Sequence, residues 1–330
     1  MLRYADFHRL NLVIPTFPND PARFHYPLRA YLENQSIQPK DVYPRKNELT
    51  GENNILCHHT RFSKNIYDFL YTEDKLKSAP VFKFTVVRSP VSLFKSSFAY
   101  FKNVGYKGFK DAGSVERFID APEKFYNEEE FLSQFGHNHM MFDLGYSANN
   151  VEGPVLQKQI QEIDDSFDLV LLTDYFDESM VLLKEQANLT ILDVMALRTN
   201  SRKKDTKPAK PSKNELSIQT IAGILSWNRA DAELYEFFKN KLFQKIEKFG
   251  KKRMDREVSV MREYREIIES LCTNGKKSAK EQGNVIMQYV LRRDKRLTEN
   301  VLEYCEALVA EELPYSKTLF LRQVPDWKGW

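Results

Sequence analysis

Three short apolar runs in the first 200 residues of the chain have the pattern of buried β-strands. Each is rich in β-branched or aromatic residues and is followed by polar turn residues; they are residues 54–58, 81–87 and 168–172. Helical patterns lie between and after them. Because strands and helices alternate, the fold class predicted for this region is α/β.

A helix is predicted directly after the second strand. Ser89 can cap it, and Pro90 occupies its first turn, where a missing N–H costs nothing. Four residues at helical spacing form one face that we expect to be packed: Phe94, Ser97, Phe98 and Phe101. Ser92 and Ser96 lie on the opposite side, which is expected to look outward.

The C-terminal part has helical periodicity almost throughout. Apolar residues recur every three or four positions from 234 to 249, and three more extend the stripe to 261, which predicts one long amphipathic helix: Leu234, Phe238, Leu242, Ile246, Phe249, Met254, Val258 and Met261. Acidic residues interrupt the lysines and arginines between them. We therefore interpret those cations as a solvated face rather than a nucleic-acid contact.

A basic segment divides these two regions. Residues 201–213 hold six basic residues, one acid, two prolines and no large apolar side chain, so an exposed loop is predicted. The predicted organisation is an α/β region at 1–200, the loop, and a helical part at 214–330 that belongs to the same domain.

Composition excludes several classes. Hydrophobic residues make up 42% and charged residues 29% of the 330 residues, which argues against disorder, collagen and coiled coil. The net charge is 49 − 46 = +3, so no nucleic-acid partner is expected. There is no run of ~18 apolar residues and no signal-peptide pattern.

Cysteines and sequons say little about the compartment. Three cysteines without C-x-x-C spacing argue against a zinc site. Sequons at Asn34 and Asn188 weakly suggest a secretory route.

Polar residues follow all three predicted strands, at 57–61, 88–90 and 173–175. In open α/β sheets ligands bind beyond the carboxyl ends of the strands, so these segments are expected to converge on one crevice. Arg88 precedes a helix N-terminus and suits an anion, to which Ser96 can also donate. From spacing alone, an arginine paired with a surface carboxylate and a merely exposed serine is the favoured alternative.

His58 and His59 are candidates for a metal ligand, a general base or a structural polar residue. Adjacent side chains on a strand point to opposite faces, which makes a metal the weakest of these. The near-neutral pKa of histidine suits removal of a proton from a hydroxyl.

Several segments together resemble a known family, the galactose 3-O-sulfotransferases, which include galactosylceramide sulfotransferase. Their order and spacing agree with that family, and the resemblance continues through Trp227-Asn228 and Leu234-Tyr235 almost to the C-terminus. The segments are Cys57-His58-His59-Thr60-Arg61-Phe62, Thr85-Val86-Val87-Arg88-Ser89-Pro90 with Ser96-Ser97-Phe98, Phe142-Asp143-Leu144-Gly145-Tyr146, and Leu169-Val170-Leu171-Leu172 with Tyr175-Phe176-Asp177-Glu178-Ser179.

The resemblance implies a P-loop-like sulfotransferase fold with a central parallel sheet flanked by helices. It also implies transfer of a sulfuryl group from 3'-phosphoadenosine 5'-phosphosulfate (PAPS) to the 3-hydroxyl of a terminal galactose on a glycolipid or glycan. Arg88 and Ser96 match the family's 3'-phosphate-binding pair. His59 matches a histidine that positions or deprotonates the acceptor, although His58 replaces the family's asparagine. No metal is required, and the implied location is the lumenal side of the Golgi membrane.

The start of the chain departs from the family pattern. Members carry a membrane anchor and an H-K-T-x-S-S-T type loop for the 5'-phosphosulfate, and neither occurs here, so residues 1–10 are expected to follow directly after that loop. Membrane attachment is therefore expected only through an anchor that this sequence lacks.

Three interpretations stay open. An incomplete copy of a Golgi enzyme is favoured, because loss of a central strand is costly and such a chain should transfer little sulfate. A short, catalytically impaired protein that binds glycans or partners is the main alternative. A soluble enzyme for an unrelated anion rests only on the basic strand ends.

Overall fold

The computed structural model describes residues 1–8, 12, 55, 61–63, 81–149, 151–197, 216–281 and 284–323. They belong to two compact units. The first unit draws on Met1–Val81, Asp143–Gly145 and Leu291–Trp330, and the second on Phe82–Phe142 and Tyr146–Val290. The predicted exposed loop at 201–213 lies outside the described residues.

The described elements are mostly helical. The helices are α1 (Leu2–Phe7), α2 (Pro90–Val104), α3 (Lys107–Ala112), α4 (Val115–Asp120), α5 (His139–Asp143), α6 (Gly153–Ser166), α7 (Phe176–Gln186), α8 (Ile191–Val194), α9 (Ile218–Trp227), α10 (Arg229–Phe249), α11 (Lys251–Cys272), α12 (Glu299–Val309) and α13 (Glu312–Gln323). The strands are β1 (Phe84–Val87), β2 (Leu169–Leu172), β3 (Thr273–Glu281) and β4 (Asn284–Leu291), and short 3-10 helices cover Pro122–Lys124, Ser133–Phe135 and Thr173–Tyr175.

A parallel pair of strands lies in the second unit. β1 pairs with β2 in a register that sets Phe84 opposite Leu169 and Val87 opposite Leu172. All four residues of β2 are buried, as expected for a strand covered on both faces, and α7 and α10 pack against it. This confirms the predicted α/β class and two of the three predicted strands, each shorter than expected. Of the third, 54–58, only Ile55 is described, in a parallel bridge with Leu12.

Helix α2 begins where β1 ends, as predicted. Phe94, Ser97 and Phe98 are buried, and Phe101 stacks on Phe135 with ring centroids 3.6 Å apart. The Ser89 side chain makes no capping hydrogen bond. The apolar face of α2 belongs to an aromatic cluster with α3, α4 and α9. Packing within this cluster holds α2 in place.

The prediction of one long helix from 234 to 261 is wrong, although its apolar stripe is correct. The helix breaks at Gly250, whose φ of 97° lies in the region that favours glycine. Its N–H bonds to the carbonyl oxygens of Ile246 and Glu247 and ends α10. Buried stripe residues continue on both sides of the break, on α10 and on α11.

The C-terminal part also contains strands that the sequence analysis did not predict. β3 and β4 form a two-stranded sheet within an otherwise helical part. The run from Val285 to Leu291 holds the β-branched and aromatic residues typical of a strand.

The expected solvated face of α10 and α11 carries several ion pairs within the second unit. Lys241 pairs with Asp164 on α6 at 2.7 Å, and Arg253 pairs with Glu185 on α7 at 2.9 Å. Arg262 and Arg265 both contact Asp177. Although burial opposes it, hydrogen bonds from Arg265 and Arg262 hold the pKa of Asp177 below its ordinary value.

Two further features concern the whole described chain. Cys272 takes part in a disulfide bond, and so does Cys305. Among the residues that the structure describes, no helix combines the length and apolar character that a membrane span needs.

Candidate functional site

The carboxyl ends of β1 and β2 lie side by side, because the two strands are parallel neighbours in register. The residues that follow them meet directly. The Ser89 backbone N–H donates to the Asp174 Oδ2 at 2.9 Å. We call Arg88, Ser89, Ser92, Ser96 and Asp174 the strand-end site.

Arg88 joins β1 to α2 and is half-buried. Its Nε donates to the Ser92 Oγ at 2.6 Å, and its backbone N–H donates to the Met140 Sδ at 3.4 Å. The guanidinium group therefore lies along the serine-bearing side of the first turns of α2.

Ser96 lies one turn beyond Ser92 on the same side of α2, since residues four apart on a helix are neighbours. Both serines are half-buried, so this side is less open than expected. Arg88, Ser92 and Ser96 thus follow one another along a single line of the helix.

The start of α2 suits an anion for a second reason. The first amides of a helix have no acceptor within the helix, and the macrodipole adds partial positive charge there. The first turn of α2 contains no acidic residue, and Pro90 at its beginning has no N–H to satisfy. The amides of Val91 and Ser92 therefore supplement the Arg88 guanidinium.

Asp174 links the strand ends to α10. Its carboxylate accepts the Ser89 N–H and a hydrogen bond from the Tyr235 hydroxyl. Tyr235 is 8% exposed, and burial together with the Asp174 charge raises the pKa of this phenol above its ordinary value. The phenol therefore stays protonated at neutral pH and remains a donor to Asp174.

Sequence reasoning placed Arg88, Ser96 and Asp174 at this end of the sheet but missed three of their contacts. Ser92 was identifiable, because it lies four residues after Arg88. Met140 and Tyr235 carry no local signal, since each is more than fifty positions away from its partner along the chain.

His58 and His59 lie outside the described residues, and so does most of the first predicted strand end. Nearby, the Phe62 N–H donates to the Asp143 carbonyl oxygen at 2.8 Å within the first unit. Gly145 has a φ of 95°, and a Cβ there would meet the Phe62 carbonyl oxygen at 2.5 Å. Only glycine fits this contact between two segments that carry the resemblance.

The possibility of a metal centre was examined among the side chains that the structure describes. No group of three or more His, Cys, Asp or Glu residues there could hold an ion. The expectation of metal-free chemistry stays a prediction.

Comparison with known proteins identifies relatives along nearly the whole chain. Galactosylceramide sulfotransferase of Mus musculus is 32% identical over 279 residues, which cover 83% of this chain and 60% of the relative. Galactose-3-O-sulfotransferase 2 of Homo sapiens is 30% identical over 348 residues, covering 99% and 80%. Galactose-3-O-sulfotransferase 3 of Bos taurus is 27% identical over 279 residues, covering 82% and 59%. No solved structure matches.

These relatives are longer than this chain, which spans 60% of the galactosylceramide sulfotransferases that it matches. The family model for galactose-3-O-sulfotransferase matches residues 1–323. This confirms the resemblance seen in the sequence motifs. The chain belongs to the galactose-3-O-sulfotransferase family.

Proposed function

We propose that this chain transfers a sulfuryl group from PAPS to the 3-hydroxyl of a terminal galactose on a glycolipid or glycan. Family membership supports sulfuryl transfer to galactose. The donor, the position on the sugar and the activity of the chain itself are parts of the proposal.

The single observation that carries this proposal is the arrangement of the strand-end site. A half-buried guanidinium group lies at the end of β1, in contact with the serine-bearing side of α2. An arginine that is held beside a helix N-terminus is suited to a phosphate, which accepts bidentate hydrogen bonds. We assign Arg88 and Ser96 to the 3'-phosphate of the nucleotide.

The reaction breaks the S–O bond to the 5'-phosphate and forms a bond between sulfur and the galactose 3-oxygen. The hydroxyl proton passes to a base, and the products are 3',5'-adenosine bisphosphate and the sulfated galactoside. Like phosphoryl transfer, such chemistry depends on positioning and electrostatic stabilisation. His59 is the proposed base, on the strength of the family motif alone.

The strand-end site contributes binding and alignment to this reaction. By fixing the 3'-phosphate, Arg88 and Ser96 anchor one end of the nucleotide, so that its position along the sheet edge is set. Asp174 is engaged by the Ser89 N–H and the Tyr235 hydroxyl, and it fixes the backbone next to Arg88.

The proposed location is the lumenal side of the Golgi membrane. Two observations support it. Disulfide bonds, such as those of Cys272 and Cys305, persist in the secretory pathway. Asn188 of the second sequon is exposed in the turn after α7, so a glycan there is sterically allowed. A glycosidase-sensitive mass shift of protein expressed in animal cells, lost in Asn188→Gln, would support this route, and an unshifted mass would argue against it.

A transfer assay with radiolabelled PAPS tests the proposed function. Galactosylceramide and lactose are the acceptors, and glucosylceramide and maltose are matched controls without a terminal galactose. We expect label only on the galactosides, sulfation at the 3-position by NMR, and loss of transfer in Arg88→Ala. Equal labelling of the glucosides, or linkage to another hydroxyl, would contradict the proposal.

A further inference from the structure

Three buried polar residues connect the segment before α5 to the junction of α9 and α10. They are Asn138, Asn228 and Asp231, which are 0%, 4% and 2% exposed. Burial of polar groups is costly unless each is hydrogen-bonded. The hydrogen-bond partners of these three residues therefore show which segments of the chain they hold in place.

Asp231 holds the beginning of α5. Its Oδ2 accepts the Met140 N–H at 3.0 Å, and its Oδ1 accepts the Met141 N–H at 2.9 Å. Helix α5 is only five residues long, too short to be stable by itself. A negative charge at its N-terminus also matches the helix dipole. The position of α5 thus depends on this carboxylate.

The two asparagines fix the chain just before α5. The Asn228 Oδ1 accepts the Asn138 N–H at 2.9 Å, and the Asn138 Nδ2 donates to the Ala148 carbonyl oxygen at 2.9 Å. Asn138 has a φ of 38°, a left-handed conformation that asparagine tolerates better than most residues. Such conformations persist where the surroundings determine them, and they cluster at functional sites.

Met140 connects this group to the strand-end site. Its N–H is held by Asp231, while its sulfur accepts the backbone N–H of Arg88 at 3.4 Å. Two hydrogen bonds thus run from α10 through α5 to the end of β1. They join residues that are 91 and 52 positions apart along the chain.

The backbone next to the guanidinium is therefore held at two successive amides. The Arg88 N–H is bound by Met140 and the Ser89 N–H by Asp174. Because these amides fix the peptide planes on both sides of the Arg88 Cα, they set the direction in which its side chain leaves the strand. Preorganisation of this kind lowers the cost of binding an anion.

We propose that Asp231 is a positioning residue for Arg88, and that it acts through Met140. This inference rests on the proposed role of Arg88 in binding the 3'-phosphate. Asp231 itself does not touch the nucleotide; it determines where the Met140 sulfur and hence the Arg88 backbone lie.

Two variants test the connection at different points. Asp231→Asn replaces one acceptor oxygen by a donor, and Met140→Leu removes the sulfur while keeping a side chain of similar volume. Each is expected to weaken binding of 3',5'-adenosine bisphosphate about three- to tenfold, the effect of one hydrogen bond. In transfer assays both should raise the KM for PAPS more than they lower kcat.

A structural control and a double-mutant cycle separate positioning from simple loss of stability. Asp193→Ala breaks the capping box of α8 but keeps the sequon at Asn188, and it should lower the melting temperature without changing nucleotide affinity. In an Arg88→Ala background, Asp231→Asn and Met140→Leu should cause no further loss of affinity.

Two results would overturn the inference and spare the proposed function. In one, both variants lose stability as Asp193→Ala does but bind the nucleotide as tightly as the wild type. In the other, they weaken binding equally with and without Arg88. If Arg88→Ala itself leaves the affinity unchanged, the proposed function of that residue fails, and this inference fails with it.

Discussion

Helices α2 and α11 both begin beside basic residues, yet their N-termini are built differently. At α2 a single arginine precedes the helix, and its guanidinium and backbone are both held, by Ser92 and Met140. The first turn carries no acid. The start of α2 thus has a single arginine, whose side chain and backbone are each held by a hydrogen bond.

The start of α11 has more basic residues, and acidic neighbours pair with them. Lys251, Lys252 and Arg253 follow Gly250 and are all exposed, around a shallow pocket that includes Glu247. Lys251 pairs with Glu247 and Arg253 with Glu185, each at 2.9 Å. Acidic neighbours therefore offset much of the charge.

The number of cations at a helix N-terminus therefore does not identify an anion site. Exposed ion pairs are weak and screened by salt, and long side chains lose entropy when a ligand orders them. The Arg88 side chain is already oriented by a hydroxyl group and loses less entropy on binding an anion, whereas the Arg253 guanidinium is bound to the Glu185 carboxylate. We therefore expect nucleotide binding at α2 rather than at α11.

The largest expected effect comes from removing the oriented charge. Arg88→Ala should weaken binding of 3',5'-adenosine bisphosphate about 10- to 100-fold, because a charge-assisted contact is lost. Arg253→Ala is the matched control at α11 and should leave the affinity unchanged. Isothermal titration calorimetry of the wild type and the two variants measures these affinities. Equal losses of affinity in both variants would contradict the distinction between the N-termini of α2 and α11.

The next effect concerns stability rather than binding. Gly250→Ala forces a side chain into a φ of 97° and should lower the free energy of unfolding by about 1 to 2 kcal/mol. Denaturant unfolding measures this change. Nucleotide affinity should be retained, and a fall in affinity would mean that the α10–α11 junction takes part in binding after all.

Features set by residues close together in the sequence are easier to predict than those set by tertiary packing. The β1–α2 connection was predictable, because the apolar run, Ser89, Pro90 and the phenylalanine spacing are all local. The break at Gly250 was missed, since the buried stripe keeps its phase from Ile246 to Met254 across the glycine. The apolar residues alone give no sign of the interruption.

The strand-end site was predictable only in part for the same reason. The convergence of Arg88 and Asp174 follows from the parallel order of their strands. Their partners Met140 and Tyr235 are brought in by tertiary packing, which no local pattern records. The buried Asp231 is likewise visible only once α5 and α10 are placed together.

A smaller effect is expected at the second hydroxyl on α2. Ser96→Ala should weaken binding of the bisphosphate about three- to tenfold, since one hydrogen bond to a charged group is lost. Ser259→Ala on α11 is the control. That serine is exposed, and its hydroxyl donates to the Glu263 Oε1 at 3.4 Å. Unchanged affinity in Ser96→Ala would limit the phosphate contact to Arg88.

The smallest effect should follow a charge change at α11. Lys252→Gln should alter nucleotide affinity less than about twofold at physiological salt, because exposed charges are screened over about 8 Å. Fluorescence anisotropy with a labelled nucleotide at two salt concentrations measures it. A larger loss that grows as salt is lowered would show that α11 steers the nucleotide.

To test whether Arg88 binds the 3'-phosphate, the 3'-phosphate is removed from the nucleotide and the Arg88 side chain from the protein. The affinities of 3',5'-adenosine bisphosphate and 5'-adenosine monophosphate are measured for the wild type and for Arg88→Ala. We predict that the wild type strongly prefers the bisphosphate and that the variant binds both nucleotides with similar, weaker affinity. A variant that keeps the full preference for the 3'-phosphate would contradict this prediction.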